Sequence, residues 1–319
     1  MKKLLKEPFF GLFCCLFFGL IIGSCAPKNT GLVIVHFNDT HSHMEPEKTG
    51  EYAGLGGVIE RAAFLDSVRA ANGAENVLFL HAGDFSQGTS YFTELHGDIE
   101  VEMLNALAYD CTCLGNHEFD NGLEELARRL ASVKCPVVCC NYDFSPFEAG
   151  KYIKPWAVVE KAGLRIGVIG VLTDITSVVS RETADRLPRL DEVAEVNKWA
   201  AYLHDSEHCD YVICLTHVGQ EPATEDELSD QYLAVRTRGI DLFVGGHSHT
   251  FLKAPIYADN LDGAPVPIVT DGCWGLNAGE MTLSFSGIPI NCVSGPFLEK
   301  QLLATWSVDS CARPLRSDR

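Results

Sequence analysis

Short apolar runs alternate with helical spacings along most of the chain. Leu32 to Phe37 is an apolar run of strand length. Val58, Ile59, Ala62, Leu65 and Val68 then recur at the spacing of a helix with one buried face, over Val58 to Arg69. Val77 to Leu80 predicts a second strand, and Val101, Leu104, Leu107 and Ala108 mark a second helix. Cys111 to Leu114 reads as a third strand and Val137 to Cys140 as a short fourth. Between them Leu123 to Val133 has helical spacing, with Glu124 and Glu125 near its start, where carboxylates suit the helix dipole. Trp156 to Glu160 and Leu164 to Leu172 flank Ala162-Gly163 and predict a hairpin. Val193 to His204 and Leu228 to Val235 predict helices, while Tyr211 to Leu215, Asp241 to Val244, Val266 to Thr270 and Met281 to Phe285 predict strands.

Strands in alternation with helices make an α/β layered architecture. No repeat and no linker divides residues 31–286, so one domain is expected there. Beyond Ser286 the pattern dissolves. Residues 287–319 are expected to be an irregular tail: an extension over the sheet edge, a disordered end, or the product of a reading-frame change.

Hydrophobic residues at 46% and charged residues at 21% describe an ordinary globular protein. The net charge of −18 argues against a nucleic-acid duplex as partner, because no basic cluster could neutralise a phosphate backbone. An anionic substrate would need a local attraction, for which a bound metal is the obvious source. The first 25 residues stand apart from the fold. Lys2, Lys3 and Lys6 precede an apolar run, Phe9 to Ile22, too short for a comfortable membrane span. It ends in Ile22-Gly23-Ser24-Cys25, which resembles a bacterial lipoprotein signal; the resemblance implies that Cys25 is lipidated and becomes the new N-terminus. An ordinary cleaved signal peptide is the alternative. Either way an exported protein is expected, in the periplasm or cell envelope. In the first case its N-terminal lipid anchors it to a membrane and residues 26–30 serve as a tether.

Thirteen cysteines in an exported chain invite a disulfide reading. Most lie inside apolar runs (Cys111, Cys113, Cys139, Cys140, Cys214), where a small hydrophobe belongs. No Cys-x-x-Cys pair occurs, which speaks against a thiolate zinc site. Mostly buried free thiols are expected, with room for one or two bridges that the sequence does not assign.

The candidate chemistry lies at the ends of five apolar runs: Asp39 and His41, Asp84, Asn116 and His117, His217, and His247 with His249. Each has a bland reading alone. Asp39-x-His41 is a common turn and cap pattern, Gly83-Asp84 a solvated turn, and His217 a core histidine. Their joint occurrence is what points to metal. Strands of an α/β sheet deliver loops at their carboxyl ends, so distant residues converge there, and neighbouring glycines permit sharp turns. A His/Asp/Asn set suits manganese, zinc, iron or cobalt without choosing among them. Asp120 lies three residues after His117, placed either to orient that imidazole or to cap the next helix. Glu118 is needed by none of this and is expected to face solvent or a neighbouring loop. His36, His43, His81, His96, His204 and His208 are expected to be structural, with His43 and His81 candidates to support the ligands from behind.

The series Asn38-Asp39-Thr40-His41, Gly83-Asp84, Gly115-Asn116-His117-Glu118, Thr216-His217 and Gly246-His247-Ser248-His249 resembles the calcineurin-like metallophosphoesterases. The Asn-Asp-Thr-His and Asn-His-Glu-Phe-Asp forms are similar to those of the 5′-nucleotidase and 2′,3′-cyclic phosphodiesterase branch. The resemblance implies a four-layer αββα sandwich, the metallo-dependent phosphatase fold, with two divalent metal ions. Carried across, Asp39, His41 and His249 would hold one metal, Asn116, His217 and His247 the other, and Asp84 would bridge them. His117 would be the catalytic histidine and Asp120 its orienting carboxylate. Hydrolysis of a phosphoester, most simply a nucleoside monophosphate to nucleoside and phosphate, is the implied activity. Two alternatives stay open: a phosphodiesterase of sugar nucleotides or cyclic nucleotides, and a surface lipoprotein that binds metal without turnover. Members of that branch continue into a second domain that selects the nucleotide. The present sequence shows no counterpart of it, so the metal domain is expected either to accept a range of phosphoesters or to work with a separately encoded specificity domain as partner.

Overall fold

The apolar runs of strand length become strands with only small changes of boundary. The computed structural model describes residues 31–283 except 223, 225 and 226, together with the backbone of Pro289–Leu298, Leu302–Leu303, Thr305–Trp306 and Pro314–Leu315. The leader at residues 1–25, Cys25, the tether at 26–30 and the remainder of the tail lie outside the described residues.

In chain order the elements begin with β1 (Leu32–Phe37), α1 (Val58–Asn72), β2 (Val77–His81), α2 (Ser90–Leu95), α3 (Asp98–Leu107) and β3 (Cys111–Cys113). They continue with α4 (Gly122–Leu130), β4 (Val137–Val138), β5 (Ile153–Lys154), β6 (Trp156–Lys161), β7 (Leu164–Leu172), α5 (Arg181–Arg186) and α6 (Glu192–Asp205). The last are β8 (Tyr211–His217), α7 (Asp230–Ala234), β9 (Leu242–Val244), β10 (Ile256–Asp259), β11 (Pro265–Val269), β12 (Asn277–Leu283), β13 (Pro289–Leu298) and β14 (Leu302–Leu303). One sheet runs β14-β13-β12-β1-β2-β3-β4-β5 and the other β10-β11-β9-β8-β7-β6. β1 to β5 are parallel neighbours, as are β7, β8, β9 and β11; β12, β6 and β10 run antiparallel to the strands they join.

The alternation of side chains explains the layers. In β1, Leu32 and Ile34 point into a core shared with Ile213 and Leu215 of β8 and Ile166 and Val168 of β7, so the two sheets pack face to face. Val33, Val35 and Phe37 point the other way, beneath Phe64 and Leu65 of α1 and Leu104 of α3. On the second sheet Val212 and Cys214 meet Val196 and Leu203 of α6. A parallel strand covered on both faces needs an unbroken apolar run, and all six residues of β1 are buried. The result is the four-layer αββα sandwich expected from the sequence. Truncating Ile34→Ala would open a cavity between the sheets, at a cost of about 2–5 kcal/mol.

Some elements escape the apolar pattern. α2 and α5 have six residues each and bury none of them. β13 pairs antiparallel with β12 from Asn277↔Pro296 to Leu283↔Pro289, where no strand is predicted. Two prolines and a glycine hide it, because such residues normally demote a strand. All eight cysteines among the described residues are free thiols and seven of them are buried, as mostly expected, and no bridge occurs among the described residues.

Candidate metal centre and catalytic cleft

Parallel strands from both sheets end on one side of the molecule, and their loops meet there. β1 leads into Asn38 to Ser42, β2 into Ala82 to Ser86, and β3 into Leu114 to Phe119; β8 ends on His217, and β9 leads into Gly245 to His249. Gly83 (φ 82°) lets the crossing happen: a Cβ there would stand 2.7 Å from both Gly115 N and His217 Nδ1. The meeting strains the chain. Asp39, His41, Asp84, His247 and His249 all hold left-handed backbone, with φ between 44° and 78°. Such geometry costs about 1–3 kcal/mol per residue and collects at functional sites.

The side chains then converge. Asp39, His41 and His249 form one group of metal-competent donors, and Asp84, His217 and His247 a second, each with donor atoms within 4.8 Å of one another. His217 Nδ1 donates to the Ala82 carbonyl (2.7 Å) and His41 Nδ1 to the Ser86 carbonyl (3.2 Å). In the neutral rings this leaves both Nε2 lone pairs aimed inward. His41 Nε2 faces His249 Nε2 at 2.9 Å, and His249 Nε2 lies 3.3 Å from Asp39 Oδ1. His217 Nε2 lies 2.9 Å from Asp84 Oδ2 and 3.8 Å from Asp39 Oδ1. Around a cation with bonds of about 2.0–2.2 Å, neighbouring donors stand roughly 3.0–3.5 Å apart. Asn116 Oδ1 is buried without a hydrogen-bond partner. Buried polar atoms of this kind call for an occupant. The donor set therefore fits a pair of divalent cations.

The electrostatics agree. Burial alone would raise the carboxyls of Asp39 and Asp84, but the His217 charge beside them holds both below the usual carboxylate range. Against its own burial, His217 is raised to about 10 by the same two carboxylates. His249 reaches about 10, chiefly through its bond to Asp39. The carboxylates thus draw positive charge inward, which a bound cation would supply. His247, by contrast, is lowered to about 4 by burial and the His217 charge, so its ring is a neutral donor.

His117 stands at the edge of this cluster, its side chain 28% exposed, with its ring centroid 5.4 Å from that of His41. Its Nδ1 is bonded to Asp120 Oδ2 at 2.9 Å, which raises the imidazole above its ordinary value. Asp120 is not the helix cap; that position belongs to Asn121, whose side chain makes no capping bond. Glu118 faces a neighbouring loop rather than solvent, the second of its two expected placements, but with a structural part that the sequence did not assign to it. It is fully buried, and its carboxylate accepts from the backbone N–H groups of Asp84 (2.9 Å), Ser86 (3.0 Å) and Gly115 (2.6 Å). Arg129 completes the clamp by donating to the Glu118 carbonyl and to Ser86 Oγ. One carboxylate thereby joins the loop of Asp84 to the loop of Asn116 and His117, and the His117 N–H adds a bond to Asp84 Oδ1 (2.8 Å).

The sequence profile of the calcineurin-like phosphoesterases matches residues 32–251. The chain belongs to this family. Among curated relatives, a snake venom 5′-nucleotidase of Naja atra is 33% identical over 292 residues, covering 84% of this chain and 53% of the relative. Among solved structures, the 5′-nucleotidase precursor of Thermus thermophilus superposes with a TM-score of 0.71 at 31% identity, covering 89% of this chain and 56% of that one. The NAD nucleotidase of Haemophilus influenzae gives 0.71 at 26% identity, with 91% and 54% covered. The chain spans about half the length of the curated relatives it matches.

Within this calcineurin-like cleft, every ligand candidate named from the sequence lies at the convergence. Of the two supporting candidates, His81 is buried and bonds Thr40 Oγ1 at 3.1 Å, between Asp39 and His41 in the chain. His43 lines the cavity itself. Pattern reasoning gave no role to Asn38, whose Nδ2 donates to Asp39 Oδ2 (2.7 Å) and to the Gly272 carbonyl (2.6 Å). Nor did it single out Trp274, whose backbone N–H donates to the Asp39 carbonyl at 2.6 Å and whose side chain joins the cavity wall. Asn38 at least sits inside a recognisable motif; Trp274 follows Gly272-Cys273 with no signal of its own.

Proposed function

We propose that residues 31–286 form a catalytic unit that hydrolyses phosphate monoesters, with nucleoside 5′-monophosphates as the substrate class. The observation that carries the reading is one cavity of about 470 Å³ that joins both donor groups to the His117–Asp120 pair. The names of the relatives above supply the nucleotide. Asp39, His41 and His249 would hold one cation, Asn116, His217 and His247 the second, and Asp84 would stand between them. Bound there, two divalent ions (manganese, zinc, iron or cobalt) supply Lewis acidity toward phosphoryl oxygens and an acidified water.

The protein's own part is positional. Asp120 holds Nδ1 of His117, so Nε2 is left to meet the phosphoryl group or the leaving oxygen. A proton carried at Nε2 stabilises the charge that grows there or passes to the departing alkoxide. Glu118 keeps the Asp84 and His117 loops at fixed separation throughout.

A substrate-selecting domain outside residues 31–286 is part of the proposal, supported by the greater length of the relatives. Export and anchoring through a lipid on Cys25 are likewise proposed from the leader pattern; among the described residues no helix is long and apolar enough to cross a membrane. The test is hydrolysis of para-nitrophenyl phosphate, AMP and a cyclic nucleotide with added Mn²⁺, repeated with Asp84→Asn. AMP turnover that vanishes in the variant is expected. A chain that binds two metal ions and turns over none of the three would overturn the reading.

A further inference from the structure

Beside the donor groups the cavity has an aromatic side. His43 and Trp274 both line it and stack on one another, with ring centroids 4.8 Å apart and planes inclined by 12°. Tyr52 meets the edge of Trp274 at 6.3 Å and stacks on Phe251 at 6.1 Å, so four rings continue outward from the cavity. Phe251, at the outer end, is 38% exposed. An aromatic ring left open to water beside a polar cluster is the usual form of a subsite for a flat ligand.

These rings are fastened to the residues that would hold the phosphate. His43 follows His41 by two positions, and Phe251 follows His249 by two. Two residues of extended chain reach at most about 7 Å, so these two rings cannot stray far from the donors. Trp274 is tied from the other direction, through its backbone N–H to the Asp39 carbonyl. Asn38 reinforces that tie by bonding both Asp39 and the Gly272 carbonyl two residues before Trp274. A phosphoryl group seated at the donors therefore has its ester substituent beside a surface of rings. The cavity volume of about 470 Å³ lies within the range of about 300–1,000 Å³ typical of small-molecule pockets.

We propose that Trp274, with His43 behind it and Tyr52 and Phe251 continuing the surface, is a specificity-determining wall that stacks the heteroaromatic base of the ester being cleaved. This rests on the phosphomonoesterase reading given above. It adds that this domain itself distinguishes nucleotides from sugar phosphates, whatever a second domain contributes. A surface of rings would favour flat heteroaromatic groups over sugars without choosing strongly among bases, since every base has a face to stack.

The test compares AMP with ribose 5-phosphate, the same ester without the base, in the metal-loaded full chain. The unmodified protein is expected to favour AMP in kcat/KM, and Trp274→Ala to reduce that ratio about tenfold, mainly through KM. Trp274→Phe should recover most of it. Because both substrates share the phosphate site, general damage to the fold or the metals leaves the ratio where it was. Equal treatment of the two substrates by the unmodified chain, or a ratio unmoved in Trp274→Ala, would overturn the wall. Adenosine, which carries no phosphate, reads the wall even if neither ester is hydrolysed. Its titration should quench tryptophan fluorescence in the unmodified chain and fail to do so in Trp274→Ala. Quenching without hydrolysis would sink the enzyme reading and leave the wall standing; hydrolysis without quenching or preference would do the reverse.

Discussion

The middles of the strands and their carboxyl ends use metal-capable residues in opposite ways. Cys111 and Cys113 lie within β3 and Cys214 within β8, all fully buried among Leu, Ile and Val side chains. A few residues further along the same strands come Asn116 and His117, and His217. Burial raises the thiols of Cys111, Cys113 and Cys214 well above their ordinary value, so they keep their protons and behave as small hydrophobes. At the strand ends Asp39 and Asp84 are as deeply buried, yet neighbouring imidazoles and backbone N–H groups stabilise their charge. Residue type alone does not make a metal site. Donors need a loop that can aim them at one point and partners that keep them ionised.

The sharpest break in that contrast is Asp84→Asn, which removes the carboxylate proposed to stand between the two cations. Activity should fall by about a thousandfold or more, and metal content, measured by plasma emission spectroscopy, should fall with it. His117→Asn separates chemistry from ligation. It should lower kcat about 10²–10⁴-fold while calorimetric Mn²⁺ binding is retained, and lost binding would place His117 among the ligands instead. Glu118→Gln puts an amide where three N–H groups expect a carboxylate. Metal affinity or activity should drop about 10–100-fold with the fold intact by circular dichroism, and an unaffected enzyme would reduce the clamp to mere packing.

The smallest effect belongs to the thiols, and its sign is fixed by linkage. Their native values are raised, whereas unfolded thiols ionise near about 8.5. Above that pH the native state binds more protons than the unfolded state, so stability is full below it and declines as pH rises toward the native values. Each thiol contributes at most about 1.4 kcal/mol per pH unit. Urea midpoints should therefore fall between pH 8 and 10, less steeply in Cys214→Ala; a flat profile would mean that the core thiols are not protonated as described.

Much of this was readable from the chain, for reasons particular residues make plain. β1, β2, β7 and β8 are apolar along most of their length because both faces are covered, and the ligand candidates stand out because polar groups end such runs, several of them beside glycine. The clamping part of Glu118, beyond its place against a neighbouring loop, was not legible because its distant partners are backbone N–H groups 32 and 34 positions away, which leave no trace in side-chain pattern. Trp274 was passed over because one aromatic residue after a cysteine looks like core. β13 was missed because prolines and a glycine sit where an interior strand would exclude them. Local chemistry shows in sequence; which distant loop it serves does not.

The proposed two-cation centre is built by loops from both sheets. Anomalous diffraction at the manganese edge, from crystals of the full chain grown with Mn²⁺, tests it most directly. Two peaks are predicted, one bounded by Asp39, His41 and His249, the other by Asn116, His217 and His247, with the Asp84 carboxylate between them. A single peak, or peaks away from these residues, would contradict it.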